Sequence, residues 1–134
     1  MLRPDDLERA ARIVVECGYE IHRELGPGLL ESAYEALLAE GARQAGLSVE
    51  RQVSVAMSYK RVVVDNAFRV DLLVESSLVI EVKSIERLAP VHGKQVLTYL
   101  RLMRLRLGLL MNFNQATSKD GLRRIANDYY GRIT

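Results

Sequence analysis

The spacing of apolar and polar residues divides the 134-residue chain into blocks of helical and extended period. Pro4-Asp5-Asp6 marks a helix start with Asp5 or Asp6 as N-cap. Leu7, Ala10, Ala11, Val14, Val15, Gly18, Ile21 and Leu25 then recur at helical spacing over about residues 6–25, until Gly26-Pro27-Gly28 stops the helix. A second helix is predicted from about Leu30 to Ala45, with Ala33, Tyr34, Leu37, Leu38 and Ala42 inward and Gly46 as C-cap. From Leu47 the period falls to two, with Val49, Val53, Val55 and Met57 alternating with polar neighbours. Tyr59–Val64 and Ala67–Glu75 read as a hairpin turned by Asp65-Asn66, and Leu78–Lys83 as a short strand covered on both faces. Helical spacing returns over 91–105, with Val91, Val96, Leu97, Leu100 and Met103 inward. Gly108–Phe113 reads as a buried strand reached by a β-α-β crossover, and about 118–130 as a weak terminal helix capped by Ser118. The resulting order, α-α-β-β-β-β-α-β-α, specifies an α/β fold with a mixed sheet flanked by helices.

Composition narrows the class. With 49% hydrophobic and 27% charged residues, the sequence suits one soluble domain spanning residues 1–134 and excludes a disordered chain. A net charge of +2 gives no overall vote for nucleic acid. Its distribution is uneven: residues 1–67 carry 8 basic and 11 acidic side chains, residues 68–134 carry 11 and 6. Arginine supplies 15 of the 19 basic residues, and its planar fork suits phosphate. The lone Cys17 allows no intrachain disulfide, and one cysteine with two histidines excludes a Cys/His zinc site. The first residues lack the apolar centre of a signal peptide, and no run has the length of a membrane span. A cytoplasmic protein is the expectation.

The chemically informative residues are charges set in strands that should be buried. Period two puts Phe68, Val70, Leu72 and Val74 on one face of their strand and Arg69, Asp71 and Leu73 on the other. In the next strand Val79, Glu81 and Lys83 share a face. Two carboxylates and a lysine there either form an ion pair at a strand end or hold a divalent cation through oxygen ligands. Glu31, Tyr34 and Glu35 share a face at the start of the second helix, where the bland roles are capping and packing. His92, Gln95 and Tyr99 form a polar stripe on the later helix, with solvent exposure as its plain explanation. Arg69, Arg101 and Arg104 are candidate phosphate contacts, although solvated surface charge explains such residues as well.

Asp71 followed by Glu81-Val82-Lys83 resembles the D…(D/E)-x-K signature of the PD-(D/E)XK nuclease superfamily. The α-β-β-β-α-β order around it resembles that superfamily's restriction-endonuclease-like core, preceded here by an extra N-terminal helix. Within it, Gly28-Leu29-Leu30-Glu31-Ser32-Ala33-Tyr34 resembles the motif that names the GxxExxY family. Glu50-Arg51-Gln52-Val53, Phe68–Val74, Pro90-Val91-His92, Gln95, Tyr99-Leu100 and Gly108–Phe113 extend the similarity over about residues 20–115. Val70 stands where the superfamily often has proline, and Gly93 where family members often have an acidic residue.

The resemblance implies a Mg²⁺ site, with Mn²⁺ as a substitute. Asp71, Glu81 and the Val82 carbonyl would be its ligands, Lys83 would stand beside the attacking water, Glu31 would be a further ligand or water-holder, and Gln95 an added polar group. The implied activity is hydrolysis of phosphodiester bonds in DNA or RNA. The competing expectation is a non-catalytic nucleic-acid-binding or protein-assembly module on a nuclease-like fold. A chain of this size has little surface for a long duplex, which favours a homodimer or a larger partner protein.

Overall fold

A computed structural model describes residues 2–115 and 119–128. Its elements are α1 (Pro4–Leu25), α2 (Glu31–Gln44), β1 (Val49–Tyr59), β2 (Val62–Val74), β3 (Leu78–Lys83), α3 (Pro90–Met103), β4 (Leu107–Asn112) and β5 (Leu122–Ala126). The strands form one sheet in the order β1-β2-β3-β4-β5; β3 and β4 pair in parallel and the other neighbours antiparallel. The expected α-β-β-β-α-β core is present, with a second helix ahead of it. No helix of the described residues is long and apolar enough to cross a membrane.

The amphipathic pattern of α1 and α2 puts both helices on one side of the sheet. Leu7, Val14, Tyr34 and Leu38 pack there against Leu72, Leu78, Ile80 and Leu109. On the other side Val96 and Leu100 of α3 meet Val70, Val79 and Leu110. Gly108 lets α3 lie close on β4, because a Cβ there would come within 2.8 Å of Val96 Cγ1. These clusters cover the central strands from both faces.

Several boundaries differ from the sequence expectation. Arg3, not Asp5 or Asp6, is the N-cap of α1; both aspartates lie inside the first turn, where their charge faces the positive helix end. The hairpin turns at Lys60-Arg61, with φ of 48° and 69°, so β2 runs unbroken through Asp65-Asn66. Asn66 lies instead at a bulge, its side chain hydrogen-bonded to Ser54. Three strands rather than four therefore precede α3. Val91, expected to pack inward, is 62% exposed.

The terminal helix expected over 118–130 is replaced, within the described residues, by β5, antiparallel to β4. Leu122 and Ala126 face the α1 side and Ile125 the α3 side, an alternation that serves a strand and also covers the edge of β4. Ser118, the expected cap, lies outside the described residues, as do residues 129–130.

Candidate metal and phosphodiester site

The sheet opens at one point, where β2 and β3 part. Their ladder pairs Val74 with Leu78, Leu73 with Val79 and Leu72 with Ile80. One step further, side chains replace the backbone bonds. The Asp71 amide donates to Glu81 Oε2 at 2.8 Å, and the Val82 amide donates to Asp71 Oδ2 at 2.8 Å. On the other flank, Gln52 and Asp71 are missing from a β1–β2 register that pairs their neighbours on both sides. Gln52 has a φ of 53°.

The side-chain alternation of β2 slips at this point. Leu72 and Val74 pack under α1 and α2, whereas Phe68 and Val70 join the α3 cluster. The expectation that Phe68, Val70, Leu72 and Val74 share one face is therefore incorrect. Strict period two fails because the strand turns over at Asp71, and the turn aims that carboxylate across the opening.

A relay of side chains from α2 supports Asp71. Glu35 is buried, only 4% exposed, and its Oε2 accepts Arg51 Nε and Nη2, each at 3.0 Å. Its Oε1 accepts Gln52 Nε2 at 2.5 Å, and the same nitrogen lies 3.3 Å from Asp71 Oδ1. Two carboxylate acceptors around one amide group require its NH₂ end to face them. In the sequence Glu35 stands out only as a helix-face neighbour of Glu31, and Arg51 and Gln52 only as part of the Glu50–Val53 segment; their connection depends on α2 lying beside the kink in β1.

Glu81 is 5% exposed. Burial, then the Asp71 charge, pushes its carboxyl up to about 8, against the opposing pull of the Asp71 amide and of Lys83. Lys83 forms no ion pair with either carboxylate, so the simple ion-pair explanation of the charged strand does not describe this site. On α3, Tyr99 stacks on Phe68 with ring centroids 4.2 Å apart. Burial, followed by the Glu81 and Asp71 charges, raises its hydroxyl above the usual range, while a hydrogen bond from Gln95 opposes the rise. Gln95 thus reaches the site through Tyr99.

Glu31 lies at the end of β3. Its Oε2 accepts the Ser84 amide at 3.1 Å, immediately after Lys83, while Ser84 Oγ donates to the Leu29 carbonyl. Buried Tyr34 holds this turn: its hydroxyl donates to the Gly26 carbonyl at 2.5 Å, accepts the Leu29 amide at 3.2 Å, and its ring stacks on Phe113. Asn112 fastens the far side, bonding both the amide and the carbonyl of Ile85. Its polarity in an otherwise apolar strand was the sequence signal for that role.

The arrangement fits a hard divalent cation. Two carboxylates converge in a buried setting, their mutual repulsion is uncompensated by an ion pair, and each holds one backbone amide with only one of its oxygens. Among the described residues no three His, Cys, Asp or Glu side chains gather, so Glu31 does not join Asp71 and Glu81 in one cluster. His92 Nδ1 accepts the Ala89 amide at 2.9 Å and caps α3. Arg69 lines a shallow cleft with Ser54, Asn66 and Phe68. Arg101 and Arg104 border another with Arg106 and Asn127, beside the start of β4 and away from Lys83.

A mixed sheet flanked by helices, opening at two strand-borne carboxylates with a lysine two residues on, defines a restriction-endonuclease-like domain. The family model of the PD-(D/E)XK nuclease superfamily matches residues 8–125, and the chain belongs to that superfamily. Nucleases of this superfamily generally use divalent metal ions and act on nucleic acid. No curated protein and no solved structure matches the chain.

Proposed function

We propose that residues 1–134 form a single nuclease domain of the GxxExxY type that hydrolyses phosphodiester bonds with Mg²⁺, or with Mn²⁺ in its place. The observation that carries this reading is the Asp71–Glu81 exchange at the strand opening, with Lys83 nearby and outside any ion pair among the described residues. Asp71, Glu81 and the Val82 carbonyl would hold the ion, and when bound it would stabilise charge on the phosphate and lower the pKa of water. Lys83 would orient the attacking water and offset charge developing on a phosphoryl oxygen. Glu31, held against the Ser84 amide, would place a second acceptor for water beside Lys83. Gln95 and Tyr99 would border the nucleic acid on the α3 side, with Arg69 and His92 as outer contacts.

DNA is the first substrate to test, followed by RNA. The half-buried free thiol of Cys17 fits a reducing compartment such as the cytoplasm. Incubation of the purified protein with single- and double-stranded DNA and RNA, with and without Mg²⁺ or Mn²⁺, tests the proposal. Metal-dependent cleavage that Lys83→Ala abolishes supports it. Absence of cleavage of all four substrates by the parent protein overturns it.

A further inference from the structure

The β1–β2 hairpin continues past the body of the protein, and its end is unlike an ordinary solvent-facing turn. Tyr59, Val62 and Val63 are all more than 60% exposed and Val64 is 43% exposed. Solvated hairpins seldom present three consecutive exposed valines, because a free edge carrying apolar residues pairs with other chains. Among the described residues the second edge of β2 is open here: β3 pairs only with residues 72–74.

The register gives this edge a direction. Tyr59 pairs with Val62 across the two-residue turn, so those two residues exchange the first hydrogen bonds of the hairpin. Alternation then aims the amide and carbonyl of Val63 away from β1, toward the open edge. The regular stretch ends after Val64, where β2 bulges and Asn66 bonds back to Ser54.

The sequence of this edge, Arg61-Val62-Val63-Val64-Asp65, has opposite charges placed evenly about Val63. Laid antiparallel on a copy of itself with Val63 on the two-fold axis, each Arg61 stands opposite an Asp65, and each Val62 opposite a Val64. The Val63 pair would be the hydrogen-bonded one, with Cα atoms about 5.5 Å apart. Arg61, in the left-handed turn, and Asp65, where the bulge begins, flank this short ladder and would pair through their side chains alone. The four remaining valines would gather on the other face at closer, non-hydrogen-bonded positions. Neither Arg61 nor Asp65 has an ion pair within its own chain among the described residues.

We propose that residues 61–65 are a self-pairing edge, through which two copies of this chain join their sheets around a two-fold axis at Val63. The occupant is a second copy because the charges complement their own sequence reversed. The inference is independent of the nuclease reading.

Charge reversal tests it on the full chain by sedimentation velocity across the micromolar range. Arg61→Asp or Asp65→Arg alone puts like charges opposite each other twice per dimer and weakens association about tenfold. The double variant R61D/D65R restores association to near the parent level. Val63→Lys, which sets two ammonium groups at the axis, leaves a monomer with unchanged thermal unfolding, since the residue is exposed. Exchange of the Val63 amide slows as concentration rises, because that donor finds a partner only in the dimer. A parent protein that stays monomeric overturns the proposal. So does a dimer indifferent to the single reversals, which would place the contact elsewhere, for instance on β1.

Discussion

Asp71 and Glu81 close the gap between their strands with their own side chains: the Asp71 amide is bound by the Glu81 carboxylate, and the amide after Glu81 by the Asp71 carboxylate. Each acid is therefore both a strand link and half of a repelling pair. Asp71→Asn separates the roles, because the amide oxygen still accepts the Val82 amide while the charge is gone. We expect metal-free thermal stability to hold or rise by a few degrees, and Mg²⁺ affinity by calorimetry to fall at least about tenfold. A large loss of stability would instead mark Asp71 as part of a structural ion network.

The buried Glu81 carboxyl, raised to about 8, makes two pH dependences of opposite sign. Below that value the folded protein keeps a proton that the unfolded chain releases in the ordinary carboxylate range. Metal-free stability therefore falls as pH climbs from that range to about 8, then levels off. Urea unfolding at stepped pH checks this, and Glu81→Gln should remove the slope. Divalent metal affinity, which needs the ionised carboxylate, rises through the same window.

Gln52 connects Glu35 to Asp71 from a left-handed backbone position. Gln52→Ala leaves Asp71 without that anchor. Its expected effect is a loss of about ten- to a hundredfold in metal affinity, the range seen for groups that orient ligands. Gln52→Gly relieves the backbone, so it should unfold later than the alanine variant yet bind metal no better. Equal metal affinity in parent and alanine variant would remove Gln52 from the site.

Tyr34→Phe keeps the stack on Phe113 and deletes the hydroxyl that joins Gly26 to Leu29. We expect a loss of about 1 kcal/mol in chemical denaturation, because a partly buried carbonyl and amide lose the hydroxyl they share. The turn that carries Glu31 toward Ser84 would loosen with it, so any metal-dependent cleavage should weaken more than stability alone explains.

Much of the fold was readable because its helices and central strands keep their periods. The face shared by Glu81 and Lys83 followed from alternation alone. The hairpin turn was not readable: Lys60 and Arg61 carry no composition mark of a turn, whereas Asp65-Asn66 does and is used for a bulge. Leu122, Ile125 and Ala126 satisfy helical spacing as well as strand spacing, and only the open edge of β4 decides between them. At the candidate site, the D…ExK spacing pointed to Asp71, Glu81 and Lys83 as candidates, but not to the failure of alternation at Asp71. That slip comes from pairing on two sides, which a single strand's sequence does not encode. The link from Glu35 through Gln52 depends on it.

The parallel pairing of β3 with β4 also sets a length scale. Six residues of β3 separate the Lys83 end of the sheet from the end where Arg104 and Arg106 border their cleft. At about 3.3 Å per residue the strand spans about 17 Å, which equals about five base-pair steps of a duplex crossing the protein surface in the same direction. Oligonucleotides shorter than this would touch only one end. Longer ones would gain the arginines as well, so affinity should step upward with substrate length rather than climb evenly.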